Sequence, residues 1–197
     1  MPIGIDTGTF ARGGSKAPVN SVLFFGRLDE VKHPDVFVQA LEQLFEKGVS
    51  FTADIVGDPT DPVSQYAHAV RNRATTLGLE GVLTIKPAVV SSEAPELFRT
   101  HAIYVNLTPS GSFDKTIGEA AACGNIVVAA NEVLRGVVPD EVLVDPLSAE
   151  KVAQGIEYAL NMSESERSVL SKTLREYIER NHSLALLVQR LMPLFEP

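Results

Sequence analysis

Residues 21–57, SVLFFGRLDEVKHPDVFVQALEQLFEKGVSFTADIVG, contain the strand–helix–strand unit that decides the fold class. The apolar runs 21–25 and 51–56 predict two strands, each stopped by a glycine. Between them, Pro34 suits the first position of a helix, and Gly48 suits its C-terminal stop. Two short apolar strands joined by one helix indicate parallel pairing, because a parallel pair needs a long crossover connection.

The same alternation of apolar runs and helical patterns continues along the chain. The further predicted strands are 82–86, 102–107, 126–130 and, as a candidate sixth, 142–144. The further predicted helices are 62–78, 93–100, 115–123, 149–161, 163–180 and 184–195. Short, mostly apolar strands that alternate with helices indicate a parallel sheet buried on both faces. Right-handed crossovers then give a doubly wound, Rossmann-like α/β sheet, here with C-terminal helices.

Capping signals predict where three of these helices begin. Asp61 is expected to cap a helix whose first position is Pro62, and Ser92 is expected to cap the helix after it. Ser163 and Glu166 have the spacing of a capping box. These signals set the predicted helix starts.

The bulk composition fits one domain, since 45% of the 197 residues are hydrophobic and can form a core. The net charge of −8 argues against nucleic acid as a general partner, because no basic surplus neutralises phosphates. The single Cys123 excludes an intramolecular disulfide, and its apolar surroundings predict a buried, inert thiol. No signal peptide is evident and no apolar run approaches the roughly 20 residues of a membrane span, so we expect a cytoplasmic protein.

Residues 1–18 differ in composition from the rest of the chain. The stretch 8–18 is rich in Gly, Ser and Lys, which is typical of the tail of a linker and not of a first strand. We therefore expect 1–18 to be a linker remnant and 19–197 to be a folded, ligand-binding domain that another domain precedes in the parent protein.

Ligands in doubly wound sheets lie beyond the carboxyl ends of the strands. The loops that come after the predicted strands are therefore where a site is expected. These loops are 26–33, 57–61, 87–92, 108–114 and 131–139.

The loop that begins at residue 108 reads TPSGSFDKT and carries the most chemical information. Gly111 allows a tight turn and close approach of the backbone to a ligand. Ser112 or Asp114 can cap the next helix. The free N–H groups at the start of that helix, together with the charge of Lys115, favour binding of an anion.

Three charged residues near these loops each have two interpretations. Glu119, one turn into the helix, can accept hydrogen bonds from vicinal hydroxyls such as those of a ribose, or it can lie on a solvated helix face. Arg27 and Lys32 come after the first strand and can flank a diphosphate, with Arg27 bound bidentately. The alternative is that Lys32 pairs with Asp29 or Glu30 at the surface, where such pairs contribute little.

Together these motifs resemble the C-terminal, donor-binding domain of the glycosyltransferase group 1 family, whose members are retaining enzymes of the two-domain GT-B architecture. Five segments match in order, and the similarity covers nearly the whole chain. These segments are 4–7 with Phe10, 22–27 with Lys32, 54–58, 112–124 and 142–146.

The resemblance implies that the donor is a nucleotide diphosphate sugar, whose hexose passes to an acceptor hydroxyl with retention. Arg27 and Lys32 would neutralise the diphosphate and Glu119 would bind the ribose, which makes these three the implied catalytic residues. The loop 87–89 would receive the base through backbone contacts. The implied nucleotide-sugar-binding residues are Gly26, Arg27, Lys32, Pro87, Val89, Gly111, Ser112, Phe113, Asp114, Lys115, Thr116 and Glu119.

The resemblance also implies which cofactors and partners to expect. It implies no cofactor and no metal; the sequence has no Asp-x-Asp motif, and its four histidines lack metal-ligand spacing. The acceptor would bind to an N-terminal domain of the same parent protein. We therefore expect the isolated chain to bind a nucleotide without transferring sugar. Peripheral membrane association would arise only through that other domain.

One position departs from the family pattern of two glutamates separated by seven residues. Glu119 is the second glutamate, but the first position holds Gly111. The resemblance implies that the missing glutamate contacts hydroxyls of the donor sugar. Asp114 could substitute for it, or Lys115 could reach a phosphate, so we expect a subgroup with altered sugar recognition.

Two other functions stay open at this point. One is a flavodoxin-like binding or regulatory module without catalysis. The other is a sugar-nucleotide epimerase, which shares the architecture but needs acid/base carboxylates and loops that we do not find in the sequence. Titration with uridine, guanosine and adenosine diphosphates separates these classes, because absence of binding favours the module.

Overall fold

A computed structural model of the chain describes residues 3–14, 16–76, 81–109 and 113–194. The strands within this part are β1 (Ser21–Phe25), β2 (Thr52–Val56), β3 (Leu83–Lys86), β4 (Ile103–Asn106) and β5 (Ile126–Ala129). They form one parallel sheet in the order β3-β2-β1-β4-β5. The order reverses between β1 and β4, which is the switch point where such sheets bind ligands. The predicted doubly wound fold is confirmed.

The helices of the described residues cover both faces of the sheet, as a doubly wound fold requires. They are α1 (Pro34–Glu46), α2 (Gln65–Thr76), α3 (Ala94–Arg99), α4 (Lys115–Cys123), α5 (Ala149–Asn161), α6 (Glu164–His182) and α7 (Leu184–Leu191). Helix α1 packs with α2 and α5, whereas α4 packs with α3 and α6. Between these layers, every residue of β4 and β5 is buried.

The start of α2 differs from the sequence prediction. The helix begins three residues later than expected, at Gln65. Asp61 closes a turn instead: its carboxylate accepts from the N–H of Val63 and its carbonyl from the N–H of Ser64, both at 3.0 Å. The hydroxyl of Ser64 then accepts an N–H of the first helical turn. The predicted Asp61 cap was wrong because a local turn uses that side chain. The predicted end of α2 at Gly78 lies outside the described residues.

Two other caps have opposite outcomes. Helix α3 begins at Ala94 with Glu93 at the N-cap position and no side-chain cap there, so the predicted Ser92 cap was wrong. The capping box before α6 is confirmed, since Ser163 Oγ accepts from the N–H of Glu166 and the carboxylate of Glu166 accepts from the N–H of Ser163.

The candidate sixth strand is also corrected. The chain forms a 3-10 turn at Asp140–Val142, and only one isolated bridge joins Leu143 to Ala129. Farther on, α6 extends to His182, and a 3-10 turn, Met192–Leu194, comes after α7.

The amino-terminal segment packs on the domain where the structure describes it. Ile5 is completely buried and bridges to Ser183. Its N–H donates to His182 O at 2.7 Å, and its carbonyl accepts from Leu184 N at 2.8 Å. Phe10 is buried too. These contacts place the segment beside the junction of α6 and α7.

Cys123 ends α4 in the core, where burial raises the pKa of its thiol to about 12. The expected buried thiol is confirmed. No helix in the described part of the chain is both long and apolar enough to cross a membrane.

Candidate functional site

The switch point brings the loop after β1 against the loop after β4. Lys32 Nζ lies 2.5 Å from Asp114 Oδ2, although 82 positions separate the two residues, and 2.9 Å from Thr108 Oγ1. The side chains of Lys32 and Asp114 are only 20% and 12% exposed. Lys32 therefore pairs across the switch point with Asp114, and not with Asp29 or Glu30 beside it in the sequence.

A sharp change of direction after β1 brings Lys32 to this place. Glu30–Lys32 is a 3-10 turn, and His33 then takes a left-handed conformation with φ 51° before Pro34 starts α1. This conformation is uncommon outside glycine. The stem of Lys32 passes close to Gly26, since a Cβ built at Gly26 would lie 3.9 Å from Lys32 Cδ and Cε.

Gly57 allows the loops after β1 and β2 to lie side by side. A Cβ at Gly57 would come within 1.9 Å of Gly26 O, and no side chain can occupy that space. Its N–H donates to Lys86 O at 3.1 Å, while the N–H of Gly26 donates to Val56 O. The glycine stop after β2 is therefore required by the close approach of the two backbones.

Asp114 is the N-cap of α4, and both of its oxygens are used. Oδ1 accepts from the N–H and the hydroxyl of Thr116 at 3.1 and 2.8 Å. Oδ2 accepts from Lys32, Thr108 and Asn106. Burial acts to raise the pKa of Asp114, but the hydrogen bonds from Lys32 and Asn106 hold it well below its usual range. Asp114 is thus ionised and caps α4. Of the two predicted candidates for this cap, Ser112 and Asp114, the structure shows Asp114 in that role.

Tyr104 and Asn106 extend this network into the core, and the sequence analysis did not identify either residue. The completely buried Tyr104 hydroxyl lies 2.6 Å from Thr116 Oγ1 and accepts from Asn106 Nδ2 at 3.1 Å. Burial and the nearby carboxylate of Asp114 raise the pKa of Tyr104. The available signal was the presence of two polar groups inside an otherwise apolar strand.

Glu119 is buried one turn into α4, and its Oε1 lies 3.2 Å from Lys115 Nζ. Burial raises the pKa of Glu119, and Lys115 opposes that rise. The side chain of Lys115 is 56% exposed. The alternative in which Glu119 lies on a solvated face is therefore wrong. Its carboxylate lies just inside the surface, next to a cation that reaches solvent.

Arg27 has a different environment from Lys32, although both come after β1. Its side chain is 61% exposed, with Nε 3.6 Å from Asp29 Oδ2 and Nη1 3.2 Å from Thr60 Oγ1. Asp29 also accepts from the N–H and hydroxyl of Thr60, which lowers the pKa of Asp29. Arg27 therefore contacts its own loop and the loop after β2.

The loop after β3 holds the residues expected near a base. Pro87 is exposed and Val89 packs partly against the core. Between them, the N–H of Ala88 donates to Asp58 Oδ2 at 2.9 Å. Pro87 and Asp58 line a cavity of about 410 Å³ at the outer edge of β3.

Gly111 and Ser112, which the sequence analysis assigned to the site, lie outside the described residues. Phe113, the next residue, is half-buried, and its ring stacks on His182. Of the residues 111–116 that the resemblance assigns to nucleotide-sugar binding, those from Phe113 onward are therefore described.

Metal ligands were not expected, and the described residues contain no group of three His, Cys, Asp or Glu side chains placed to hold a metal ion. Besides His182, which stacks on Phe113, two more of the four histidines have clear structural contacts. His33 forms the left-handed turn before α1, and His101 Nε2 lies 3.1 Å from Asp54 Oδ2.

Comparison with known proteins places these features in a family. The family model for "Glycosyl transferases group 1" matches residues 19–162. A D-inositol 3-phosphate glycosyltransferase of Acidothermus cellulolyticus is 30% identical over 143 residues, which cover 66% of this chain and 32% of that protein. The protein of the same name in Mycobacteroides abscessus is 32% identical over 136 residues, covering 64% of this chain and 30% of the relative. The matched region spans about a third of each of these relatives.

Solved structures share the fold at low sequence identity. A glycosyltransferase from Rickettsia africae superposes with a TM-score of 0.83 at 20% identity, over 98% of this chain and 55% of that one. The C-terminal domain of LpcC, a group 1 family protein of Francisella tularensis, has a TM-score of 0.79 at 19% identity, with coverages of 92% and 100%. Anabaena HepE, solved with UDP and glucose, has a TM-score of 0.80 at 19% identity, with coverages of 97% and 54%.

Proposed function

Because this chain belongs to the glycosyltransferase group 1 family, we propose that it is the donor-binding domain of a retaining glycosyltransferase. The donor is a nucleotide diphosphate sugar, whose hexose the whole protein transfers to an acceptor hydroxyl. The observation that carries the proposal is the Lys32 ammonium, which Asp114 and Thr108 hold beside the start of α4. A fixed cation there adds to the preference of a helix N-terminus for anions.

Lys32 retains capacity for a ligand after its internal bonds are made. An ammonium group has three donors. Its partners among the described residues are Thr108 and Asp114, which leaves one donor for a phosphate oxygen. Since both partners are themselves fixed by α4 and β4, Lys32 needs little reorganisation when a diphosphate binds. We therefore assign Lys32 to the diphosphate.

Arg27 serves as the second cation of the proposed diphosphate site. Its 3.6 Å pair with Asp29 is exposed, and exposed pairs contribute little. A phosphate can therefore replace Asp29 as its partner at small cost. The planar guanidinium can then bind two phosphate oxygens at once.

The α4 carboxylates take separate roles in the proposal. Asp114 is occupied by donors of the domain itself, so we assign it to holding Lys32 and not to the donor sugar. Glu119 accepts the ribose hydroxyls, and the exposed Lys115 reaches the phosphates. The backbone of 87–89 receives the base. Support for this ligand class comes from Anabaena HepE, which was solved with UDP-glucose.

The reaction itself depends on where charge develops. Cleavage of the donor leaves negative charge on the diphosphate, and fixed cations and helix N–H groups placed there stabilise it. Lys32, Arg27 and the start of α4 therefore act on the leaving group. The acceptor binds to an N-terminal domain of the same protein, and no cofactor takes part.

Calorimetric titration of the chain tests the proposed ligand class. We expect saturable binding of at least one among uridine, guanosine and adenosine diphosphates, and weaker binding of its nucleoside. The 2′-deoxy and 3′-deoxy forms of that nucleotide should bind more weakly to the wild type, but not to Glu119→Gln. Glu157→Gln, which alters a partly exposed carboxylate on α5 that pairs with Lys47, is the matched control. If none of the three diphosphates binds, the donor-binding proposal is wrong and a non-catalytic module is favoured.

A transfer assay tests the proposal that the donor binds to this domain and the acceptor to another domain. The chain alone, given the bound nucleotide sugar and an acceptor, should release no transferred product, whereas the full-length protein should. The anomeric configuration of that product, read by NMR, should match the donor. Transfer by the chain alone would contradict the assignment of the acceptor site to another domain, and an inverted product would contradict retention.

A further inference from the structure

Phe113 enters α4 next to the N-cap Asp114 and is held between distant parts of the chain. Its ring stacks on that of His182, with centroids 4.4 Å apart and an interplanar angle of 14°. The ring also lies close to Gly118, where an added Cβ would lie 3.2 Å from Phe113 Cε1 and 2.8 Å from Ile5 Cγ1. A side chain at position 118 would therefore displace Phe113 or Ile5.

The stack on His182 takes the place of a hydrophobic staple, a common motif at the N-terminus of a helix. In a hydrophobic staple, an apolar residue just before the N-cap packs on the fourth residue of the helix and fixes the angle of entry. In α4 these positions are Phe113 and Gly118, and the glycine has no side chain to offer. His182, the last residue of α6, supplies the missing surface from another helix.

His182 is positioned chiefly by packing. Its Nδ1 is buried and has no hydrogen-bond partner in the part of the chain that the structure describes. Burial and the nearby Arg190 lower the pKa of His182, which favours a neutral ring. The ring of Tyr177 lies 5.4 Å away on another side, and the backbone carbonyl of His182 accepts from Ile5. Packing against aromatic rings therefore dominates the surroundings of this side chain.

We propose that His182 is a positioning residue for the donor site: by stacking on Phe113 it sets the angle at which the chain enters α4. That angle determines where Asp114 lies, and Asp114 holds Lys32. The effect on donor affinity rests on the proposed function. The effect on the first turn of α4 does not, so the two ideas can fail separately.

The test compares His182→Ala, which removes the stack, with His182→Phe, which keeps an aromatic face. His68→Ala on α2, an exposed histidine far from the stack, is the matched control. Two quantities are measured: amide hydrogen exchange of Thr116 and Ile117, whose N–H groups bond to Asp114, and calorimetric affinity for a nucleoside diphosphate. Phe113→Leu removes the same stack from the other side and replaces His182→Ala if that variant does not fold.

We expect His182→Ala to speed exchange at both amides and to weaken nucleotide binding roughly twofold to tenfold, the range of an aromatic pair. His182→Phe should restore both, and combining His182→Ala with Phe113→Leu should add little. Unchanged exchange and affinity in His182→Ala, or a His182→Phe variant as impaired as His182→Ala, would overturn the proposal. If the wild type binds no nucleotide but His182→Ala still loosens α4, the positioning role stands and the donor-binding function fails.

Discussion

Lys32 and Arg27 come after the same strand and are both assigned to the diphosphate, yet their surroundings differ sharply. Lys32 lies in a largely buried network with Asp114 and Thr108. Arg27 is mostly exposed, and its carboxylate partner is 3.6 Å away. In the proposed site, Lys32 is thus already in place without a ligand, whereas Arg27 would have to be ordered by the ligand, and ordering a long side chain reduces affinity.

The difference comes from the groups that hold each cation in place. Lys32 is held by the N-cap of α4, which is in turn bonded to a polar group of β4, so the position of Lys32 is coupled to the stability of the fold. Arg27 contacts only groups of surface loops among the described residues. Changes near Lys32 should therefore alter stability and binding together, whereas changes at Arg27 should alter binding alone.

The largest effect is expected for Asp114→Ala. This change removes the cap of α4 and leaves Lys32 without its buried counter-charge, and breaking such a pair typically costs about 3–5 kcal/mol. Chemical denaturation should show a loss of that order in the free energy of unfolding. Asp140→Ala, which breaks an exposed pair with Arg135, is the control and should change stability little. A loss below about 1 kcal/mol in Asp114→Ala would show that the surroundings of Lys32 contribute no more to stability than an exposed ion pair such as that of Arg27.

Acid should weaken the same network. The folded-state pKa of Asp114 is lowered, so its contribution to stability is complete above the unfolded pKa of about 3.9 and is lost as pH falls further. The stability difference between the wild type and Asp114→Asn should therefore be constant from pH 7 to about 5 and shrink below about 4. Denaturation curves across this range measure it. A difference that does not change down to pH 3 would contradict the stabilised carboxylate.

A smaller effect is expected for Tyr104→Phe. The variant removes a buried hydroxyl that serves Thr116 and Asn106, which should cost about 1–2 kcal/mol of unfolding free energy. Tyr158→Phe on the surface of α5 is the control. Equal stability of the two variants would mean that the core hydroxyl does not support the Asp114 network.

The smallest effect on stability is expected for Arg27→Gln. Because the Arg27–Asp29 pair is exposed, unfolding should change by less than about 0.5 kcal/mol. Nucleotide affinity should still fall, since a charge near the diphosphate is lost. If Arg27→Gln lost as much stability as Asp114→Ala, the surroundings of Arg27 would support the fold as strongly as those of Lys32, which contradicts the comparison.

Local signals in the sequence predicted much of the fold. Strand β1 and helices α4 and α5 have the predicted bounds, and a glycine or a capping side chain marks at least one end of each. The Asp61 cap was wrong because a local turn uses that side chain, and the Ser92 cap was wrong because α3 begins without a side-chain cap. Where such a helix begins depends on the turn that precedes it, which a single sequence specifies weakly.

The site was harder to predict than the fold for a physical reason. Asp29 and Glu30 are sequence neighbours of Lys32, so a surface pair was a reasonable alternative. The actual partner, Asp114, comes close only because β1 and β4 pair in parallel at the switch point. The contact between Lys32 and Asp114 therefore cannot be predicted without the topology of the whole sheet. The stack of Phe113 on His182 likewise depends on the tertiary fold.

The most direct test is the affinity of Lys32→Gln and Arg27→Gln for whichever nucleoside diphosphate the wild type binds, with Lys47→Gln as the control, since Lys47 pairs with Glu157 away from the site. We expect Lys32→Gln to lose roughly tenfold to a hundredfold in affinity, as for a hydrogen bond to a charged group. Arg27→Gln should lose less, and Lys47→Gln nothing. Wild-type affinity in Lys32→Gln would contradict the diphosphate site at the β1–β4 switch point.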